Sequence, residues 1–347
     1  MTIVQRLQRT GIRRLGSARR GFRFVTADGR RVGSSQRARL ATLRLPPAWS
    51  RVAISSSPAA RVQAVGRDAA GRWQYVYHPA HVRRREEAKF DRMLAFGRAL
   101  PRLRRAVARD LAQPGLGRCT VLACIVRVLA TCFLRPGSEE YADANGTFGL
   151  ATLRRDHVSV RGATVRFEFT GKAGKLQQRE LRDPRVARIV ARLLELPGRE
   201  LFAYVADDGT ICDVRRSHIN RYLKDVMGRR FSAKDFRTWA GTLICAGALC
   251  HAGVAAGESV RARRKKVVAA VKATALQLGN TPAVCRSSYI SPAVVASFEE
   301  GRVLDARIAS LDALLAAADG TVLRRCEKAL LALLEENGPR RMARRAA

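Results

Sequence analysis

Over the first 80 or so residues, apolar and polar side chains alternate in short runs, a period of strands rather than of helices. Phe22-Arg-Phe-Val25, the turn pair Asp28-Gly29 and Arg30-Arg-Val32 together predict a hairpin. Arg51–Ile54 and Val62–Val65 predict two further strands, and Asp68-Ala-Ala-Gly71 a turn into a strand over Trp73-Gln-Tyr-Val-Tyr77. Leu45-Pro-Pro-Ala-Trp49 reads as a rigid connector, because consecutive prolines prevent helix. Beyond His78-Pro79 the spacing becomes helical, over Glu86–Leu100, Pro101–Leu111 and, past Gly115–Gly117, Cys119–Arg135, closed by Pro136-Gly137. One island returns to period two: Thr164–Thr170 and Leu176–Leu181 flank the basic turn Gly171-Lys-Ala-Gly-Lys175, a β-hairpin. Helices resume at Pro184–Leu196, Ser217–Met227, Ser232–Leu249 and Arg261–Leu278. The third of these opens with the capping-box-like Ser232-Ala-Lys-Asp235, and the fourth stops at Gly279. Leu304–Leu315 and Val322–Glu336 are amphipathic, and Pro339–Ala347 is a basic tail. The expected fold is α+β: a small β-rich N-terminal domain over residues 1–80 and a larger, mainly α-helical domain over 81–347 carrying one small hairpin.

Charge changes the picture. Lys and Arg total 65 against 29 Asp and Glu, a formal net charge of +36. Such an excess attracts polyanions. Because it is spread along the whole chain and not gathered in one juxtamembrane cluster, nucleic acid is favoured over an anionic membrane, with a basic structural protein as the plainer reading. The eight cysteines contain no C-x-x-C pair and no accompanying His cluster, so no metal site is expected, and they read as reduced thiols of a cytosolic protein. The Arg-rich N-terminus lacks the continuous apolar stretch of a signal peptide. Thr238–Gly257 carries no Asp, Glu, Lys or Arg over 20 residues, long enough to span a bilayer. It is dominated by Ala and Gly, so a buried helix followed by a loop is expected there, and no membrane partner.

Strand cleavage in a polyanion needs a nucleophile, cations for the phosphoryl oxygens and an acid for the leaving oxygen. Arginines supply bidentate donors, a lysine can protonate a departing hydroxyl, and a tyrosine or serine can attack covalently. The carboxylate pairs Glu86-Glu87 and Glu139-Glu140 are adjacent and do not share a helix face, so they make no metal cluster. Taken singly, each candidate has a plainer role. Arg135 can complement a helix C-terminus, Lys172 can be a solvated turn residue, and Arg237 a surface helix residue. Asn280 can continue a helix stop after Gly279, and Tyr289 can be a packing aromatic. The basic run ending at Lys266 can be a solvated face or a phosphate contact.

Five segments in order carry a resemblance. Phe133-Leu-Arg135-Pro-Gly-Ser-Glu-Glu-Tyr141 with Asn145–Leu153 resembles the first arginine motif of the type IB DNA topoisomerases of the compact bacterial and poxvirus-like kind. Gly171-Lys172-Ala-Gly-Lys175 is similar to that family's catalytic-lysine hairpin, Ser232–Thr242 to its second arginine motif, and Leu278–Pro292 to its tyrosine motif. Leu45–Trp49 and Gln63–Pro79 resemble its N-terminal DNA-clamping domain. The resemblance runs from about residue 11 to 296 and implies the tyrosine recombinase/topoisomerase IB fold for the helical domain. It also implies roles. Tyr289 attacks the scissile phosphate to leave a 3′-phosphotyrosyl link, Arg135 and Arg237 hold the non-bridging oxygens, Lys172 protonates the 5′-oxygen, and Asn280 donates to the phosphate. Arg72, Gln74, Tyr75, Tyr77, Tyr141 and Lys234 are carried over as DNA contacts, with packing a competing role for the three tyrosines. The implied enzyme is a monomer on double-stranded DNA, cytoplasmic and nucleoid-associated, without cofactor, metal or ATP.

Three departures stand out. Asn280 occupies a place where poxvirus enzymes and many recombinases carry His, and it can donate but cannot titrate. Arg61 stands where a His is expected, and the turn Ser55-Ser-Ser-Pro58 is atypical. A tyrosine recombinase shares the same chemistry, but Lys234 in place of His and the β-rich N-terminal part stand against it. A basic nucleoid or RNA-binding protein is the non-enzymatic alternative.

Overall fold

The computed structural model describes residues 1–308, 310, 314 and 321–336. The chain divides into two compact units, Met1–Lys89 and the part from Phe90 onward.

In the first unit the elements are α1 (Ile3–Thr10), β1 (Ile12–Ser17), β2 (Gly21–Val25), α2 (Ser34–Thr42), β3 (Ser50–Ile54), β4 (Val62–Arg67) and β5 (Trp73–Tyr77). The strands form one antiparallel sheet in the order β2-β1-β3-β4-β5. Strand alternation divides its side chains between two small cores. Ile12, Val52, Ile54 and Ala64 pack with Val32 and with Leu40 of α2, whereas Ala53, Val62 and Val65 pack with Leu7 of α1. The expected hairpin within 22–32 is corrected: β2 pairs along its length with β1, and Arg30–Val32 contributes only a turn and the single bridge Val25–Arg31. β1 escaped notice because Ile12-Arg-Arg-Leu-Gly-Ser buries Ile12 alone and shows no alternation. Its Arg14 fixes the proline connector, donating to the carbonyls of Pro46 (3.1 Å) and Trp49 (2.6 Å).

The second unit is built on α3 (Pro79–Asp110), which begins in the first, and continues with α4 (Arg118–Cys132) and α5 (Glu139–Asn145). An antiparallel sheet follows, of β6 (Val158–Arg161), β7 (Thr164–Thr170) and β8 (Leu176–Arg182) in that order. The rest comprises α6 (Pro184–Glu195), the pair β9 (Ala203–Val205) and β10 (Ile211–Asp213), α7 (Arg216–Met227), α8 (Ala233–Ala252), α9 (Val260–Leu278), α10 (Pro282–Ser288), α11 (Pro292–Glu299) and α12 (Thr321–Glu336).

Three expectations change here. The one hairpin expected gains β6 as a third strand, and β9–β10 form a second, separate pair. Glu86–Leu100 and Pro101–Leu111 are one helix, α3. The buried stripe Met93, Phe96, Leu100, Leu103, Val107 runs straight past Pro101, so tertiary packing outweighs the lost backbone bond. The helix expected to reach Arg135 ends at Cys132, because Phe133 turns left-handed (φ 54°) and Pro136 forces its predecessor out of helix.

α4 and α8 are apolar nearly all round and are buried accordingly, forming the centre of the main core. The uncharged stretch after Thr238 is thus a core helix ending at Gly253, and among the described residues no helix is long and apolar enough to cross a membrane. α12 packs against α8 through a buried polar link. Glu327 accepts two bonds from Arg104 (2.8 and 2.7 Å) and one from the Trp239 indole (3.2 Å). Of the amphipathic segment at 304–315, residues 304–308 are described and are not helical, whereas 309, 311–313 and 315, like the basic tail at 339–347, lie outside the described residues.

Candidate active site

The site is assembled from three chain segments that meet at the N-terminal half of α8. Its first wall is the loop after α4. The carbonyls of Arg135 and Pro136 accept from the amides of Leu150 and Ala151 (both 2.9 Å), and Phe148 donates to the carbonyl of Thr170 at the end of β7. Gly149 makes this strap possible: a Cβ there would lie 2.5 Å from the backbone of Gly137. Held in this way, Arg135 is half-buried, and its Nη2 donates to Asn280 Oδ1 (2.6 Å) and to the carbonyl of Gly279 (3.3 Å).

α8 supplies the second arginine. Asp235 accepts from the amide of Ser232 (2.9 Å), as the capping pattern required, and pairs with Arg92 (3.1 Å), which fixes the first turn. One turn into the helix lies Arg237, 4% exposed. Its Nη1 donates to the carbonyl of Phe133 and its Nη2 to that of Leu278 (2.7 Å). The guanidinium carbon stands 5.3 Å from the centre of the Tyr289 ring. Burial, and then the neighbouring Arg135, push the Arg237 guanidinium down to about 10, against the opposing pull of Tyr289. It is still a cation at neutral pH.

Tyr289 is brought here by a helix stop and a close approach. α9 ends at Gly279 (φ 61°), Asn280 closes the last turn by donating to the carbonyl of Ala275 (2.9 Å), and Pro282 starts α10. Tyr289 terminates α10, half-buried, with its main chain laid on α8. Its carbonyl accepts from Thr242 Oγ1 (3.0 Å), and a Cβ on Gly241 would come within 2.8 Å of its own Cβ. Gly241 lies one helical turn after Arg237, so the same face of α8 presents the guanidinium and admits the tyrosine.

The C-terminus of α9 is the common anchor. Three consecutive carbonyls, of Gln277, Leu278 and Gly279, accept from three arginines on different elements: Arg179 of β8 (2.7 Å), Arg237 (2.7 Å) and Arg135 (3.3 Å). Terminal carbonyls of a helix have no partner of their own and carry the negative end of its dipole, so cations are stabilised there. Two donors remain over: Arg237 Nε and Asn280 Nδ2 are buried and have no hydrogen-bond partner among the described residues.

The remaining candidates stand apart from this cluster. Lys172 sits at the exposed tip between β7 and β8, where Ala173 and Gly174 are left-handed (φ 64° and 69°), and its ammonium makes no hydrogen bond or ion pair among the described residues. Lys234 is exposed in the first turn of α8. The side chain of Tyr141, on α5, lies outside the described residues. In the first unit, Asp68 accepts from both Arg72 Nε (3.0 Å) and Gln74 Nε2 (2.8 Å). Tyr75 and Tyr77 occupy the other face of β5 from Gln74, their rings stacked 6.1 Å apart, with Arg85 5.6 Å from the Tyr77 ring. Among the described residues no group of three or more His, Cys, Asp or Glu is placed to hold a metal. Sequence reasoning missed Arg179, Gln177, Gly241 and Thr242. The one available signal was Gly241, a helix-weakening residue inside an otherwise apolar helix.

Residues 80–304 match the family described as eukaryotic DNA topoisomerase I, catalytic core, and residues 21–68 match bacterial DNA topoisomerase IB, N-terminal domain. DNA topoisomerase 1B of Acanthamoeba polyphaga mimivirus is 32% identical over 285 residues, 81% of this chain and 85% of its own. DNA topoisomerase 1B of Vaccinia virus (strain Copenhagen) is 24% identical, and DNA topoisomerase I of Monkeypox virus 23%, each over 70% of this chain and 74% of its own. With both the catalytic core and the N-terminal domain matched, the chain belongs to the type IB DNA topoisomerase family.

Proposed function

We propose that this chain relaxes supercoiled duplex DNA with Tyr289 as the nucleophile and Arg135, Arg237 and Asn280 as the phosphate-binding groups. The Tyr289 hydroxyl loses its proton to solvent, and its oxygen forms a bond to the scissile phosphorus. The bond from phosphorus to the 5′-oxygen breaks, and that oxygen takes a proton from the Lys172 ammonium, which solvent later restores. The phosphotyrosyl ester conserves the energy of the broken ester, so the reverse attack by the 5′-hydroxyl reseals the strand without ATP. Between the two steps the free end swivels and supercoils of either sign relax.

The observation that carries this reading is the meeting of Tyr289, Arg237, Arg135 and Asn280 from separate segments around the end of α9, with two buried donors unused. Arg237 Nε and Asn280 Nδ2 are the donors a non-bridging phosphoryl oxygen would satisfy. Preorganised donors of this kind are worth roughly 3–4 kcal/mol of barrier each. Asn280 acts through its amide alone, so no general base is assigned at that position.

With a net charge of +36, binding rests on phosphate contacts and weakens steeply with salt. Tyr75, Tyr77, Arg72, Gln74, Tyr141 and Lys234 serve as further DNA contacts, the enzyme works as a monomer, and it acts in a DNA-containing compartment. The test is relaxation of supercoiled plasmid in EDTA without ATP. The parent protein relaxes it and leaves a denaturant-resistant protein–DNA adduct, and Tyr289→Phe does neither. Relaxation by Tyr289→Phe at the parental rate would overturn the proposal.

A further inference from the structure

We infer that Arg179 is a positioning residue for the leaving-group side of the reaction: by clamping β8 to the end of α9, it sets where the Lys172 ammonium stands. The inference rests on the assignment of Lys172 as the acid.

Three arginines hold the last carbonyls of α9. Two of them, Arg135 and Arg237, belong to the phosphate-binding cluster. The third comes from the strand that leads away from the Lys172 tip. Arg179 Nη2 donates to the carbonyl of Gln277 (2.7 Å) while its Nη1 donates to the carbonyl of Gln178 (2.7 Å), so the guanidinium bridges β8 and α9. Gln177, two residues closer to the tip, is buried and fills the space between the hairpin and the helix end. A Cβ added at Gly171 would lie 2.7 Å from its Cγ, and one at Gly279 would lie 3.2 Å from its Oε1. Strand alternation puts Gln177 and Arg179 on the same face of β8, one packing against the helix end by shape and the other binding it by charge.

Beyond these two side chains the hairpin projects. Pairing between β7 and β8 ends at Thr170–Leu176, three residues past Arg179, or about 10 Å of strand. Lys172 lies in the exposed turn beyond that point and makes no side-chain hydrogen bond or ion pair among the described residues. The place of its ammonium relative to the phosphate is therefore set by how the hairpin is docked on α9. Arg179 provides the charge-assisted bond in that docking. Its own charge also reaches Arg237, depressing that guanidinium further, so an effect through Arg237 is the competing explanation that the experiment must separate.

A leaving group that needs no proton separates them. The assay is single-turnover cleavage of a duplex oligonucleotide, with either oxygen or sulfur at the bridging 5′ position of the scissile phosphate. A thiol ionises near 8.5, so sulfur departs as thiolate unaided. On the oxygen substrate, Lys172→Ala should lose about 10²- to 10⁴-fold in rate, and Arg179→Ala about 10- to 100-fold. On the sulfur substrate both variants should recover to near the parental rate. Arg179→Lys, which keeps a cationic donor, should be the milder variant on oxygen, and it serves as the probe if Arg179→Ala does not fold, as judged by thermal melting. Recovery of Lys172→Ala but not of the Arg179 variants would overturn the inference and assign Arg179 to Arg237 or to the fold alone, as would parental rates of the Arg179 variants on oxygen. Failure of sulfur to rescue Lys172→Ala would instead remove Lys172 as the acid, and the inference with it.

Discussion

Replacing Gly241 by alanine separates the position of the nucleophile from the stability of the fold. A methyl group at this place on α8 would lie 2.8 Å from Tyr289 Cβ, 2.9 Å from its carbonyl oxygen and 3.1 Å from Leu278 Cδ1. Carbon atoms in good contact stand about 3.5–4.0 Å apart, so Tyr289 must retreat by about 0.7 Å or more. α8 is buried on all sides over this stretch and cannot retreat instead. Two stability terms oppose each other. Alanine improves the helix by about 1 kcal/mol over glycine, and overpacking costs about 1–3 kcal/mol, leaving a net loss of roughly 0–2 kcal/mol. The chemical loss is larger, because misplacing a reacting group by an ångström costs about 10²-fold in rate. Gly247→Ala is the control on the same helix. Its methyl meets Leu314 Cδ2 at 2.6 Å, the end of a flexible side chain, with no part of Tyr289 nearby. Single-turnover formation of the covalent adduct, read on a denaturing gel, should show Gly241→Ala slowed about 10²-fold and Gly247→Ala near the parental rate. Thermal melting should separate the two only slightly. Parental cleavage by Gly241→Ala would refute the reasoning, since Tyr289 would not then depend on the seat that Gly241 leaves open.

Two further predictions concern the frame around the site. Glu327→Ala breaks the buried link to Arg104 and leaves the Trp239 indole without its acceptor. Calorimetry should show a loss of about 3 kcal/mol, or roughly 6–12 °C in Tm for a unit of this size. The cysteines should divide by burial. Burial pushes Cys132, Cys245 and Cys285 up to about 11, 12 and 11, and Cys124 higher still, while Cys119 is exposed. Iodoacetamide at pH 8 should therefore label Cys119 of the native protein well before those four, which react only on unfolding, as peptide mass spectrometry will register. Prompt labelling of Cys285, four residues before Tyr289, would show that the α10 region opens far more readily than its packing implies.

Legibility followed burial. β7 and β8 could be read because their alternation is set by one buried face, β3 and β4 because they are short apolar runs buried on both sides, β5 because its aromatics alternate, and α8 because its cap and apolar run are local features. β1 could not, since a strand with one buried residue and two arginines leaves no period to detect. Pro101 suggested a break that the buried stripe of α3 overrides, a tertiary effect invisible in a short window. Within the site, the plain and the functional readings of some residues coexist. Asn280 does continue the stop after Gly279 through its amide, and its side chain also holds Arg135. Arg135 does complement a helix C-terminus, but that of α9, more than 140 residues away and not of its own helix. Arg179 and Gln177 were silent because their roles depend on which backbone they meet after folding.

The central claim is that folding brings one phenol onto a phosphate held by two guanidiniums. Its most direct test is to trap the adduct on a labelled duplex, digest the protein and sequence the DNA-linked peptide by mass spectrometry. The account predicts that all adduct lies on Tyr289, joined to a 3′-phosphate, with a free 5′-hydroxyl on the other fragment. Adduct on any other residue, or attachment through a 5′-phosphate, would contradict it.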